Sequence, residues 1–451
     1  MKLRFDQDLK IASVVKSPWV RLGPERWLPA YAIASFHGWD RPADQPPMLL
    51  PLTELVAETA WPKATELQSS PVFRNIISER LPGFDILPSS MSGAAEAFPG
   101  RHLLGNEPGM CADYEDKAFF RRRFADTLTF PDFMIMDRDG LAPDESGYAS
   151  VMAGRQTIVL QDTRLKAGKG SFIIRDFKDY QQALHSLDAM SAQGDVVVSD
   201  FVDNAIECSI QGCVTAERIY TGPLQQQIIR HPLLAKLDRP ETEKFCGVQI
   251  MAADQGSAAH RAAQQAAEVV GADLRAAGYH GIFGLDFMLS EDGRLYLLEL
   301  NPRITGATPL LSELAIDGQV PFLLLHLLEL GGYDYEVSDD SLSAWSEGAL
   351  LMLHSQNDTY SLMDDLPRSG IYRMDDGGLK RSKQSMALAD ASEHEFLLQA
   401  YHPVGKRIKP GGRMACLMFR RPVADRDGRL HDDVVRTIEA VQRAVVLSQE
   451  D

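Results

Sequence analysis

Residues 281–306 read GIFGLDFMLSEDGRLYLLELNPRITG. Two apolar runs, 282–289 and 295–301, flank Ser290-Glu291-Asp292-Gly293-Arg294, the pattern of a β-hairpin that turns at Asp-Gly. Whether the loop is Asp292-Gly293 or the four residues 291–294, the pairing is symmetric about one point, and Asp286 falls opposite Glu299. Asn301 follows two residues later on the same face. Opposed carboxylates repel, and apolar neighbours that strip them of water deepen the repulsion. A divalent cation relieves it. An oxygen-only set of Asp286, Glu299 and Asn301 suits Mg²⁺, with Mn²⁺ as the alternative, because Mg²⁺ keeps several waters and shares its coordination with phosphates. Arg303, beside that set, offers a planar cationic fork for phosphate or another oxyanion. An exposed hairpin with solvated acids would account for the carboxylates but not for the Asn-Pro-Arg that follows them at once.

Asp286 together with E-L-N-P-R at 299–303 resembles the metal-binding end of the ATP-grasp superfamily, which includes D-alanine:D-alanine ligase, biotin carboxylase and many amide-forming ligases. The resemblance implies a mixed α/β (α+β) fold in three parts. These are an N-terminal α/β domain over 1–115, an ATP-grasp core over 116–335 with a mobile lid at about 125–200, and a C-terminal α/β domain over 336–451. It also implies ATP and Mg²⁺ at the site.

Upstream, Asp113-Tyr114-Glu115-Asp116-Lys117 opens a helix with acids in its first turn, and Leu128-Thr129-Phe130-Pro131 follows as a short strand. This is similar to the start of the family's nucleotide-binding region, where the lysine meets ATP phosphates, so the resemblance makes Lys117 a phosphate ligand. Strands at 157–161 and 172–174 enclose DTRLKAGKGS, a basic loop whose Gly168, Lys169 and Gly170 can fold N–H groups and charge over a polyphosphate. It is not a Walker loop, since GxxxxGK[ST] is absent. Alone, such a loop reads equally well as an ordinary hairpin connection. The strand before it ends, in the family, on a second ATP lysine; here Gln161 stands there, a donor without charge. The strand 196–202 resembles the family's adenine-binding hinge, which places Ser199, Asp200, Phe201 and Val202 against the base and Glu207 on the ribose hydroxyls. His231, beside Pro232, reads as a loop residue rather than a base. The turn 305–308 sits where it could contact a reacting carboxylate.

Elsewhere the chain is quieter. Strands at 11–15 and 48–50 and a short helix at 55–60 are expected in the first part, an Ala-rich helix at 258–277, and a core helix at 322–330. The last part has strands near 349–353 and 414–419 and a helix carrying Val434, Val435, Ile438, Val441 and Val445 on one face. At 451 residues and 45% hydrophobic, the chain is long enough for several cores, and its formal charge of −17 argues against a nucleic-acid surface. Five scattered cysteines without CxxC spacing suit idle thiols in a reducing cytoplasm. The start MKLRFDQDLK lacks a signal-peptide core, and no apolar run is long enough to cross a bilayer, so a cytoplasmic protein with no membrane partner is expected.

The chemistry the resemblance implies is activation of a carboxylic acid by ATP and capture of the acyl phosphate by an amine, with Lys117 and Arg303 stabilising charge in transfer. Its substrates would be a small carboxylic acid and an amine, amino acids or peptides. The unassigned C-terminal part would serve a structural role, form a homodimer or close the amine side. Within the superfamily the chain looks most like peptide ligases of the pheganomycin type. Two other readings stay open: a nucleotide-binding regulatory or scaffold protein without turnover, which Gln161 favours, and a biotin-carboxylase-like enzyme.

Overall fold

The computed structural model describes residues 2–35, 40, 47–51, 70–165, 170–190, 194–237, 245–315, 318–339, 344–375, 378–402 and 404–449. The expected helix at 55–60 and the loop residues Gly168 and Lys169 lie outside them.

One correction comes first, because it places Lys117. A single helix opening at Asp113 is not what forms: one helix spans Pro108–Glu115, Asp116 turns extended, and a second helix, α1, spans Lys117–Phe124. The reason is capping, since the Asp116 carboxylate accepts from the N–H groups of Ala118 and Phe119 and so starts a new helix. Lys117, Phe120, Arg121 and Phe124 then share its buried face.

The strand expected at 128–131 is also displaced. β1 spans Phe133–Asp137, beyond Pro131, whose missing N–H suits a strand boundary better than an interior. With β2 (Ile158–Asp162), β3 (Ser171–Ile174) and β4 (Asp195–Asp200) it makes an antiparallel sheet ordered β1-β4-β2-β3. Alternation splits its faces. Ile158, Leu160, Ile174, Val196 and Val198 pack under two helices, and Val159, Gln161, Ser171, Ile173 and Ser199 face a cleft.

Opposite stands a ten-stranded sheet. Its strands are β5 (Ile206–Val214), β6 (Ile219–Ile229), β7 (Phe245–Ile250), β8 (Gly281–Leu289), β9 (Leu295–Asn301), β10 (Gly348–His354), β11 (Gly370–Asp375), β12 (Gly378–Lys383), β13 (Glu395–Ala400) and β14 (Arg413–Phe419). They run β9-β8-β5-β6-β7-β10-β14-β13-β11-β12, so the hairpin β8–β9 forms one edge, and strands from the end of the chain continue the same sheet. On the hairpin half, Cys208, Ile210, Leu285, Phe287, Leu297 and Leu300 pack against α1 and the long helix α2 (Ala258–Ala276). On the other half, one face packs on the helix Asp432–Ala444. The opposite face joins a core shared with Trp19, Leu28 and Ile33 of the N-terminal part and with the apolar helix Phe322–Gly331. That N-terminal part is a four-stranded parallel sheet, Met48–Pro51, Ala32–Ser35, Ile11–Val15 and Asp85–Leu87 in spatial order.

The hairpin differs from expectation in its turn. Ser290 donates to Arg294 O and Gly293 to Ser290 O, which leaves a three-residue loop, Glu291-Asp292-Gly293. Gly293 adopts φ 81°, the left-handed residue that such loops require. Toward the turn the pairs are Met288 with Tyr296 and Phe287 with Leu297; past a bulge at Leu298 they become Asp286 with Glu299 and Gly284 with Asn301. The bulge restores the register that the odd loop shifts by one.

Candidate functional site

Asp286 and Glu299 therefore stand directly opposite each other, on the face that looks into the cleft between the two sheets. The cleft holds about 540 Å³ and is lined by Gln161, Ser171, Ser199, Asp200, Phe201, Val202, Glu207, Asp286, Glu299, Asn301 and Arg303, among others. The structure thus brings residues 199–202, Glu207 and the carboxylate pair into one space. Gly170 precedes the lining residue Ser171, and its carbonyl accepts from Asp162 N.

Asp286 is half-buried, and its side chain meets the cleft. Gln227 Nε2 donates to its Oδ1 at 2.6 Å and Asn301 Nδ2 to its Oδ2 at 2.8 Å. Burial, then the charge of Glu299, push its carboxyl up, to about 7, against the lowering effect of those two amides. Gly284, two residues earlier, lets the Thr305 turn close on the strand, since a Cβ there would fall 2.5 Å from Thr305 Cγ2. The Thr305 and Thr308 hydroxyls both donate to Gln211 Oε1.

Lys117, at the start of α1, approaches Glu299 Oε2 at 3.4 Å, and its ammonium donates to Leu165 O at 3.0 Å. Arg303 donates from Nη2 to Asn301 Oδ1 at 2.7 Å and from Nε to Glu115 at 3.1 Å. Glu207 is largely buried, which raises its carboxyl; Arg230 works in the other direction. Asp200 meets Arg155 at 3.2 Å. His231 sits in the loop beyond β6, its Nδ1 accepting from Leu233 N.

Three participants escaped the reading of the sequence. Gln225 and Gln227 reach the cleft from β6, and a polar residue at every second place in Pro-Leu-Gln-Gln-Gln-Ile was their signal. Arg121 is the third. Fully buried, it donates from Nη2 to Gln161 Oε1 at 3.1 Å. Its spacing from Lys117, one helical turn, was the clue.

The site suits Mg²⁺ by its chemistry. Two opposed carboxylates and an amide are hard oxygen donors, and burial first, then the charge of Glu299, disfavour the charged form of Asp286, a cost that a cation would offset. For its oxygen to join them, the Asn301 amide must turn over, because Oδ1 now faces Arg303. Among the described residues no group of three or more His, Cys, Asp or Glu gathers as a softer metal site would need.

Residues 115–307 match the ATP-grasp domain family. That match covers less than half of the chain. Its sequence is 24% identical over 187 residues to the carbamoyl phosphate synthase large chain of Kineococcus radiotolerans, covering 40% of this chain and 16% of that one. Among solved structures, the fold resembles the biotin carboxylase domain dimer of Hydrogenobacter thermophilus 2-oxoglutarate carboxylase, bound to MgADP, ADP and bicarbonate. The TM-score is 0.61 at 13% identity, covering 98% of this chain and 91% of that one. It also resembles phosphoribosylamine–glycine ligase of Thermotoga maritima, with TM-score 0.58 and 15% identity over 97% of both chains. The ATP-grasp fold expected from the hairpin is the fold observed. No helix among the described residues is long and apolar enough to cross a membrane.

Proposed function

We propose that this chain is an ATP-dependent carboxylate–amine ligase. The observation that carries the proposal is the Asp286–Glu299 pair, opposed across a strand pair and facing the same cleft as the hinge and Glu207. In this reading residues 199–202 hold adenine, Glu207 accepts from the ribose hydroxyls, and Lys117, Gln161 and the loop with Gly168, Lys169 and Gly170 meet the phosphates. Asp286, Glu299 and Asn301 would hold Mg²⁺, or Mn²⁺ in its place, which when bound supplies charge neutralisation for the phosphate oxygens. The division into parts at 1–115, 116–335 and 336–451 belongs to the same proposal.

The substrate carboxylate oxygen attacks the γ-phosphorus of ATP as the bond to the β-bridging oxygen breaks, giving an acyl phosphate and ADP. An amine nitrogen then attacks the acyl carbon; phosphate leaves with the electron pair of the C–O bond, and the amine proton passes to solvent. Arg303 and Lys117 stabilise charge on the transferring group, and a closed lid shields the acyl phosphate from water. The substrates are amino acids or peptides, as in the pheganomycin-type ligases that the sequence resembles, and the protein acts in the cytoplasm, as a homodimer.

Phosphate release from ATP with pooled amino acids and peptides, followed by mass analysis of the products, tests this. Amide product with stoichiometric ADP and phosphate supports it. ATP binding without ADP formation for any acid and amine pair would favour a nucleotide-binding regulatory protein, a reading that the uncharged Gln161 supports. Consumption of bicarbonate in place of the organic acid would favour biotin-carboxylase-like chemistry.

A further inference from the structure

A charge without an anion is buried beside the cleft. Arg121 has no exposed surface, and among the described residues its Nε and Nη1 have no hydrogen-bond partner. Its guanidinium lies 5.8 Å from the Phe130 ring centre and 5.3 Å from that of Phe133, a favourable but partial return for lost hydration. The nearest carboxylate influence is Glu299, which favours the charged form without forming an ion pair. Removing an arginine from water with so few partners is destabilising, and such a feature calls for a purpose other than stability.

The one side-chain hydrogen bond that Arg121 makes among the described residues indicates one. A guanidinium only donates, so the atom of Gln161 that faces it must be the carbonyl Oε1, at 3.1 Å. The Gln161 amide then has one orientation, with its NH₂ group turned toward Ser171 and the cleft. Nε2 donates to Ser171 Oγ at 3.0 Å, which leaves the second amide hydrogen and the serine hydroxyl hydrogen available. Both Gln161 and Ser171 line the cleft. A chain of donors, polarised from its cationic end, thus has the second amide hydrogen and the serine hydrogen to offer whatever occupies the space. Such a site matches an anion.

We propose that Arg121 is a positioning residue for a nucleotide polyphosphate: it fixes Gln161 as a donor, and from behind it supplies the positive charge that a lysine at 161 would bring. The inference rests on the ATP reading above, and it makes Gln161 a working replacement rather than a mark of lost function.

The test is titration of the full chain with MgADP and with adenosine, alongside thermal unfolding. Wild-type protein should bind both. Arg121→Met should weaken MgADP by ~10–100-fold, as expected for a lost hydrogen-bonding charge, and leave adenosine within about twofold. Its thermal midpoint should hold or rise, because an apolar side chain replaces a poorly paired ion. Gln161→Glu, which turns an acceptor toward the phosphates, should abolish MgADP binding. Arg121→Met/Gln161→Lys should recover most of the wild-type MgADP affinity, a rescue that a structural role does not predict. An equal loss of both ligands in Arg121→Met, or unchanged MgADP affinity, overturns the inference while leaving the nucleotide reading intact. Should Arg121→Met not fold, Gln161→Glu decides: unaltered MgADP binding there overturns it. Failure of the wild-type chain to bind either ligand overturns the ATP reading, and this inference with it.

Discussion

One row of cross-strand partners in the ten-stranded sheet runs Gln227, Val248, Leu350, Met418, Leu397. All five point to the same side. At the near end that side meets the cleft, and Gln227 binds Asp286; at the far end it meets the N-terminal part, and Leu350, Met418 and Leu397 are buried in the shared core. What changes along the row is only what covers it. The far half can be apolar on both faces because both are covered, whereas the hairpin half keeps one face polar where it meets the open cleft. Function on this sheet is a matter of which patch is left unpacked.

The sharpest way to break that contrast is to remove polarity where no packing depends on it. Glu299→Ala is expected to lower turnover by ~10²–10³-fold or more, since in the proposed ligase it removes a charge arranged for the transferring phosphate. Circular dichroism and the thermal midpoint should stay near wild type, because Glu299 is about one-third exposed and its neighbour Lys117 retains Leu165 O. Undiminished turnover would remove Glu299 from the site.

One residue away from its partner the outcome should invert. Phe287 follows Asp286 in β8 but points to the opposite face, where it is 2% exposed and packs against α2. Phe287→Ala should cost about 3–5 kcal/mol of stability by denaturant unfolding. Nucleotide affinity in the protein that remains folded should be unchanged. A variant that keeps its stability but loses nucleotide would show that the two faces are not separable.

This separation marks how far the sequence could be read. Alternation in GIFGLDFML placed Asp286 and Phe287 on opposite faces, and that local rule was sufficient for the carboxylate pair. It was insufficient for Arg121, which sits in the run Arg121-Arg122-Arg123 and so resembles a solvated helix end. Only its phase with Lys117 and Phe124, once Asp116 had restarted the helix, turns it inward. Nor could local pattern join β7 to β10, strands almost a hundred residues apart whose pairing makes one sheet of two stretches of chain. The phosphate-covering role expected of Gly168 and Lys169 rests on resemblance alone.

A smaller effect sharpens the electrostatic side. The carboxyl of Asp286 is raised from its ordinary 3.8 to about 7 in the folded protein, so folding favours its protonated form. Its contribution to stability is fully present below about pH 4 and is lost as pH rises through 7. Asp286→Asn should therefore gain on wild type as pH rises across that window, by about 1 kcal/mol per pH unit, in ligand-free thermal unfolding. Adding MgADP should shrink the difference, because the cation offsets the repulsion. A parallel pH profile for the two proteins would mean that the pair is not electrostatically strained.

The smallest change concerns what fixes the register of the acids. Gly293 takes φ 81°, and a Cβ there would meet no atom within 4 Å, so Gly293→Ala acts through backbone conformation alone and should cost about 1 kcal/mol. If the turn dictated the pairing, that substitution would let the loop relax to two or four residues and slide β9 by one, carrying Glu299 to the apolar face. The pairing has other anchors, however. β8 is held on its far side by β5, where Ser209 stands opposite Asp286, and β9 is tied across by the bond from Asn301 to Asp286. The bulge at Leu298 lies between these anchors and the loop, and it absorbs a change in loop length without passing it on. Turnover of Gly293→Ala should thus equal that of wild type at a slightly lower thermal midpoint. Loss of turnover would instead assign control of the acid pair to the turn.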